Sequence, residues 1–361
     1  MKIKKIALLS ALLFFTFGFI QTVSAEGLRA SPFRIEETVQ PGETITSFIT
    51  ITNVSGQTNT FYGEVRDFVP RGEGGEARLI FDEDSKMQNS LSDWVSLPTD
   101  EVRMGPGERR EIPISFEVPE DASPGGYYGA IVFGPDSGEV EEGEGAVVSL
   151  ARQVGVLALF QVEGEVDETA RIREFRTDQS IYNAPFNVEF VTRLENLGNV
   201  HIKPIGSIKV ENIFGQEVAT KQVNPPGGNV LPETIRRFEN SWEDEFGFGR
   251  YDATLSLSFG TPPDQGGAGI QTAVMTTGFW ILPVRLIAGI IIGLILIGSI
   301  LIFLFIQQKE KAVKRAIEET GGDPKAIRKN DSSQKIFILI VVIIITLVLL
   351  ITGTIIFLLL G

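Results

Sequence analysis

The chain has 361 residues, a net charge of −14 at pH 7, 43% hydrophobic residues and no cysteine. The absence of cysteine excludes disulfides, thiol nucleophiles and cysteine-ligated zinc or iron–sulfur sites. Residues 26–280 hold 41 acidic and 20 basic residues, a net charge near −21. Such a surface repels nucleic acid, so we expect no nucleic-acid partner. It suits a basic partner or divalent cations, or it serves solubility alone.

The first 25 residues have the three parts of a secretory signal peptide. Lysines at the start precede the apolar run Ile6–Ile20, and Val23-Ser24-Ala25 offers a small-residue cleavage site. Cleavage would leave Glu26 as the first mature residue, and the alternative is a signal anchor that is retained. In either case the segment that follows is expected to leave the cytoplasm.

Strands are predicted from residue 31 onward, because apolar and polar residues alternate with period two. Residues 44–52 and 111–118 show this alternation, with glycine and proline turns beside them. Residues 26–164 are therefore predicted to form an immunoglobulin-like β-sandwich. The acidic tract 136–144 is predicted to be an exposed loop. A calcium site is the alternative, although the spacing is not that of a known calcium loop.

A second immunoglobulin-like sandwich is predicted over residues 165–260, closed by a strand over 250–259. Residues 261–280 are rich in Gly, Pro, Thr and Gln, and are predicted to form a stalk to the membrane. The sequence of residues 51–56 resembles that of residues 194–199, and both indicate a strand that runs into an asparagine-centred turn. This similarity is a sign of a duplicated fold.

Two apolar segments near the C-terminus, residues 286–306 and 336–360, contain no charged residue. Each is long enough to span a bilayer, which needs about 20 residues of helix. The domain plan therefore has a transmembrane helix over 281–306, a loop over 307–335 and a second transmembrane helix over 336–360. The loop has eight Lys or Arg against five Asp or Glu, which predicts that it is cytoplasmic. The chain is thus predicted to be a cell-membrane protein with an extracytoplasmic ectodomain.

No catalytic constellation is recognisable. One histidine, His201, cannot supply a two-histidine metal site, and no serine stands in a nucleophile-elbow context. We therefore expect a protein that is not an enzyme and holds no cofactor or metal, with His201 on a strand and partly exposed. The candidate ligand-binding residues are the aromatic residues that could form a platform for a sugar or peptide: Trp94, Tyr62, Tyr127 and Tyr128. The preferred interpretation of Trp94 is a core position between the sheets.

Several residues of the first domain recur in a known family: Trp94-Val95-Ser96-Leu97, Val102, Pro106-Gly107-Glu108, Ile112, Ile114, Phe116, Val118-Pro119, Asp121-Ala122 and Pro124-Gly125-Gly126-Tyr127-Tyr128-Gly129-Ala130-Ile131. Together with Ser31-Pro32-Phe33, Pro41-Gly42-Glu43 and Ile51-Thr52-Asn53-Val54-Ser55, they resemble the peptidoglycan-binding domain of the WxL-interacting proteins over about residues 28–135.

The resemblance implies a bacterial cell-surface protein whose N-terminal sandwich contacts peptidoglycan or a surface-protein partner. That family typically has one C-terminal membrane span, whereas two are predicted here. The alternative function is a structural or scaffolding subunit of a cell-envelope assembly, which binds no glycan and whose copies associate with one another as a homo-oligomer.

Overall fold

The computed structural model describes residues 27–80, 87, 89–135, 153–262, 267, 269–320, 340–341, 343–348, 351 and 353. The predicted signal peptide and the acidic tract lie outside the described residues, as does most of the second predicted membrane helix. The described part consists of two β-sandwiches followed by one long helix. The predicted all-β, immunoglobulin-like ectodomain is confirmed.

The first sandwich packs a four-stranded sheet, in the order β1-β3-β9-β7, on a five-stranded sheet, in the order β2-β11-β10-β4-β8. Its strands are β1 (Leu28–Ser31), β2 (Arg34–Val39), β3 (Thr44–Asn53), β4 (Asn59–Arg66), β5 (Phe68–Arg71), β6 (Glu76–Leu79), β7 (Val95–Ser96), β8 (Glu101–Met104), β9 (Arg109–Glu117), β10 (Gly125–Gly134) and β11 (Val154–Val162). The pair β2–β11 is parallel and the other pairs are antiparallel. Strands β5 and β6 form a separate hairpin.

Strand β10 is buried on both faces, and this explains its continuous apolar sequence. Ile131 and Phe133 point into the core of the first sandwich. The alternate residues Tyr128 and Val132 point the other way, into a smaller cluster that includes Leu231 of the second sandwich. A strand covered on both faces needs apolar residues at successive positions, as β10 has. The outer face of this sheet is therefore the interface between the two sandwiches.

The second sandwich repeats the strand order of the first, without an equivalent of the edge strand β7. Its strands are β12 (Ala170–Thr177), β13 (Ile181–Asn183), β14 (Phe186–Asn196), β15 (Ile205–Asn212), β16 (Glu217–Val223), β17 (Ile235–Asp244), β18 (Gly249–Phe259) and β19 (Gln271–Leu282). The sheets have the orders β12-β14-β17 and β13-β19-β18-β15-β16. In both sandwiches the first edge strand is divided between the two sheets, as β1 and β2 in the first sandwich and as β12 and β13 in the second. The second part pairs in parallel with the last strand of its sandwich, β2 with β11 and β13 with β19.

The two asparagine-centred turns are equivalent in the structure. Asn53 ends β3 and Asn196 ends β14, and neither is exposed to solvent. The side-chain amide of Asn53 donates to the carbonyls of Met104 and Gly105, at 3.1 and 3.0 Å. That of Asn196 donates to the carbonyl of Val200, four residues later, at 2.7 Å and to that of the distant Val230 at 2.9 Å. The repeated sequence therefore marks the same buried turn in each sandwich.

The predicted stalk over residues 261–280 is wrong for its second half. Residues 271–282 form β19, which pairs with β18 along its whole length and with β13 at its end. Small and polar residues predominate in the first part of β19, so the composition there resembles that of a linker, while Ala273 and Met275 pack against the core. The second sandwich is thus completed by this strand, and the chain passes from Leu282 to the helix through Pro283 alone.

Helix α1 (Val284–Thr320) contains a segment, Val284–Ala312, that is long and apolar enough to cross a membrane. The helix continues through residues 307–320, where the sequence predicts a loop, since this stretch is rich in the good helix formers Ala, Lys and Glu. The described residues between 340 and 353 are also helical. Their Ile344 lies beside Gly298 of α1: a Cβ atom at Gly298 would be 3.7 Å from it.

Candidate binding cleft between the sandwiches

Trp94 and Tyr127 form part of the core of the first sandwich. Trp94 is 7% exposed and is the last residue of a single 3₁₀ turn, Ser92–Trp94. Its ring centroid lies 4.2 Å from that of Tyr127, with an angle of 37° between the ring planes. The interpretation of Trp94 as a core residue is confirmed.

The four predicted aromatic residues do not form one platform. Tyr128 is buried on the face of β10 opposite to Tyr127, because successive residues of a strand point to opposite faces. Tyr62 is 37% exposed and pairs with Gly134 at the other end of β10, about 23 Å along the strand from Tyr127. The alternating side-chain direction along β10 and the register of its pairing with β4 thus place the four aromatic side chains at three separate sites.

His201 lies at the interface between the sandwiches, outside the named strands, where the sequence predicts a strand residue. Its Nδ1 is 3.4 Å from the hydroxyl of Tyr128, and the two rings meet edge to face. Burial lowers the pKa of His201 to about 4, so the imidazole is neutral at pH 7. Burial also raises the pKa of Tyr128. This pair therefore contributes an uncharged polar contact to the interface.

The Glu36 carboxylate on β2 is the polar centre of the interface. It accepts hydrogen bonds from Lys203, at 2.6 Å, and from the side chain of Asn229, both in the second sandwich. Arg34, two residues earlier on the same strand, also pairs with it at 2.6 Å. Burial raises the pKa of Glu36, but these hydrogen bonds outweigh the effect and hold the pKa below its usual value. The carboxylate is therefore ionised and stabilises the contact between the domains.

The hairpin β5–β6 reaches from the first sandwich to the second. At its tip, Glu73 forms a two-pronged ion pair with Arg193 of β14, at 2.7 and 2.5 Å. The backbone carbonyl of Glu73 also accepts a hydrogen bond from the backbone N–H of Arg237, at 2.8 Å. Hydrogen bonding to Arg193 lowers the pKa of Glu73. These contacts fix the hairpin over the interface, where it forms one wall of a cleft.

A cavity of about 270 Å³ lies under this hairpin, between the two domains. Most of its lining is apolar, with Phe33, Phe68 and Leu159 from the first domain and Leu231 from the second. Two arginines, Arg34 and Arg236, and one acidic residue, Glu76, also line it. An apolar cavity with a few convergent polar groups is the usual form of a ligand site.

The guanidinium of Arg236 is confined by the backbone of both domains. A Cβ atom at Gly75 or at Gly228 would lie 2.3 or 2.4 Å from it, so the guanidinium packs directly against both glycines. Its Nη1 donates to the carbonyl of Asn229 at 2.6 Å. Its buried Nε has no hydrogen-bond partner, and no carboxylate of the described residues forms an ion pair with it. Burial, and then the charge of Arg34, lower the pKa of Arg236.

The cleft can therefore accommodate a negatively charged group. A cation that is partly desolvated, next to a second cation and without a carboxylate partner, gains most from an anionic ligand. No sequence pattern points to these arginines, because they are far apart in the chain and belong to different domains. The one local signal is the alternation in β17, which places Arg236 and Arg237 on opposite faces.

No protein-family model matches this chain, and no curated protein matches it. The search of solved structures finds similar folds among fimbrial chaperones. The class 5 fimbriae chaperone CfaA is 12% identical over 68% of this chain and 99% of its own, with a TM-score of 0.32. The CupB2 chaperone of Pseudomonas aeruginosa is 10% identical over 70% of this chain and 100% of its own, with a TM-score of 0.31. Because these values are low, the function of this chain is inferred from its own residues.

Proposed function

We propose that this chain is a membrane-anchored, non-enzymatic binding protein of the bacterial cell surface. Its signal peptide exports the two sandwiches, and its apolar C-terminal segments hold them at the outer face of the cell membrane, with residues 307–335 in the cytoplasm. Its ligand is peptidoglycan or a surface-protein partner, as the resemblance to the WxL-interacting proteins implies. The ligand is bound in the cleft that the first sandwich forms with the second.

The observation that carries this proposal is the pair Arg34 and Arg236 in the apolar cavity between the domains. The ectodomain is strongly acidic, whereas this cavity is lined by two arginines and one acidic residue, and Arg236 has no carboxylate partner among the described residues. A carboxylate of a peptidoglycan stem peptide or of a protein would complete the hydrogen bonding of Arg236. The apolar walls would bury the groups that flank this carboxylate.

Binding to purified, insoluble peptidoglycan tests the proposal. Full-length protein in detergent is incubated with the glycan and pelleted, and the bound fraction is compared among variants. Arg236→Gln removes the cation from the cavity and is expected to weaken binding at least tenfold, since a hydrogen bond to a charged group contributes about 1.5–3 kcal/mol.

Arg237→Gln is the matched control, because it makes the same change on the adjacent residue, which is exposed and paired with Glu239. Its binding should equal that of the wild type. Equal binding by Arg236→Gln, with an unchanged melting temperature, would place the glycan site outside the cleft. Absence of binding by the wild type itself would exclude peptidoglycan as the ligand. Cross-linking in cells would then identify a protein partner.

A structural subunit of an envelope assembly is the second candidate. A single residue, Pro283, connects β19 to α1. This short connection favours the structural role, because it joins the sandwiches to the membrane helix without a flexible linker. Inserting a ten-residue Gly/Ser linker after Pro283 distinguishes the two functions. A binding protein should retain its ligand affinity. A scaffold that depends on a rigid connection to the membrane should no longer form its assembly.

A further inference from the structure

Four large apolar side chains are exposed together at one end of the second sandwich. Ile213 and Phe214, in the turn between β15 and β16, are 58% and 80% exposed. Phe246 and Phe248, in the loop between β17 and β18, are 62% and 60% exposed. We call these four residues the aromatic tip. Isolated exposed apolar residues are ordinary, but a group of this size marks an interaction surface.

The backbone holds the aromatic tip in place. The side-chain oxygen of Asn212 accepts hydrogen bonds from the N–H groups of Phe214 and Gln216, at 3.0 and 3.1 Å. The N–H of Phe248 donates to the hydroxyl of Tyr251 at 3.2 Å. A Cβ atom at Gly249 would lie 3.8 Å from the Ile213 side chain, so the turn and the loop are neighbours. The exposure is therefore a property of the folded turns.

The aromatic tip lies at the end of the sandwich where the helix begins. Gly249 pairs with Ile281 on β19, and a Cβ atom at Gly247 would lie 2.8 Å from the Ile281 side chain. Helix α1 starts at Val284, three residues later. Three residues span at most about 10 Å, so the loop that carries Phe246 and Phe248 lies close to the start of the helix.

The length of the uncharged segment locates the bilayer. Residues 286–306 would extend about 31 Å as a helix, which matches a hydrocarbon core of about 30 Å. The edge of the hydrocarbon core is then near Leu286. Since the headgroup layer adds roughly 5–8 Å on each side, Pro283 and the loops beside it lie at headgroup depth.

We propose that the aromatic tip inserts into the outer lipid interface of the membrane that holds α1. This inference rests on the membrane anchoring of the proposed function. Phenylalanine and isoleucine at this depth bury their side chains at the boundary between headgroups and acyl chains. The adjacent residues Glu243, Asp244 and Glu245 are acidic, so anionic headgroups do not attract the tip. Insertion is driven by apolar burial, and added salt should not release it.

The test uses full-length protein, reconstituted at one copy per lipid nanodisc and labelled at single introduced cysteines, since the native chain has none. An environment-sensitive fluorophore is attached at Phe214→Cys or Phe248→Cys. Ile205→Cys is the matched control: it is 61% exposed but lies at the opposite end of β15. Leu296→Cys, within α1, reports on anchoring itself. The readouts are the emission wavelength and quenching by lipids brominated in the acyl chain.

Probes at 214 and 248 should be blue-shifted and quenched at least twofold by brominated lipid, at low and high salt alike, while the probe at 205 is unaffected. Quenching at 296 without quenching at 214 and 248 would overturn the insertion and leave the anchor intact. A lack of quenching at all four positions would overturn the anchor as well. A blue shift at 214 and 248 without quenching would show that protein, and not lipid, covers the tip, and would also refute the proposal.

Discussion

Replacing Asn53 by aspartate should destabilise the first sandwich strongly, because the side-chain amide of Asn53 serves three backbone carbonyls. Its N–H groups donate to Gln57, Met104 and Gly105, at 2.8, 3.1 and 3.0 Å, in a site with no exposure to solvent. Its Oδ1 accepts from the backbone N–H of Ser55, a contact that aspartate preserves. The substitution therefore removes the donors alone and places carboxylate oxygens against carbonyl oxygens.

The cost follows from these contacts. Each buried polar group left without a partner costs about 1–3 kcal/mol, and at least two carbonyls lose their donor. The expected loss at pH 7 is therefore about 2–6 kcal/mol, a large part of the usual 5–15 kcal/mol stability of a folded domain. With a urea dependence of about 2 kcal/mol per molar, the unfolding midpoint should fall by about 1–3 M.

Urea unfolding of the full chain in detergent, followed by tryptophan fluorescence, measures this shift. Asn187→Asp is the control, because Asn187 is exposed on β14, and it should change the stability by no more than about 0.5 kcal/mol. The introduced carboxyl is destabilised in its charged form, so its folded pKa is raised and the loss should shrink as the pH falls from 7 to 5. A midpoint within roughly 0.3 M of the wild type, which is about the precision of such a measurement, would refute the role assigned to Asn53.

Four further outcomes are expected. Trp94→Ala should cost the first sandwich about 3–5 kcal/mol of stability, and a wild-type melting curve with lost glycan binding would contradict its core role. His201 is neutral in the folded state, whereas in the unfolded state it takes up a proton between pH 6.5 and pH 5. The free energy of unfolding should therefore fall by about 2 kcal/mol over this pH range. In His201→Gln this part of the pH dependence should be absent. Protease added to spheroplasts should remove the sandwiches and leave residues 307–335 protected, and digestion of that segment would reverse the proposed topology. Cysteines at Gly298 and Ile344 should cross-link within one chain on oxidation, whereas cross-links between copies alone would indicate a dimer.

Local patterns in the sequence determined the elements of this protein. Alternation of apolar and polar residues indicated strands such as β3 and β9, because a half-buried strand needs that period. An uncharged apolar run indicated the helix that can span a membrane, because length and composition alone decide that property. A repeated sequence motif indicated the turns at Asn53 and Asn196, because each turn requires one side chain that can both donate and accept hydrogen bonds.

Only the tertiary structure decided what those elements build. Composition suggested a stalk where β19 completes a sheet, because a strand of small and polar residues is stabilised by the strands beside it. Adjacent aromatic residues suggested one platform, yet Tyr127 and Tyr128 face different partners, since β10 is covered on both sides. The cleft joins Arg34 to Arg236 across two domains. No local pattern could reveal that contact, because it depends on how one sandwich packs against the other.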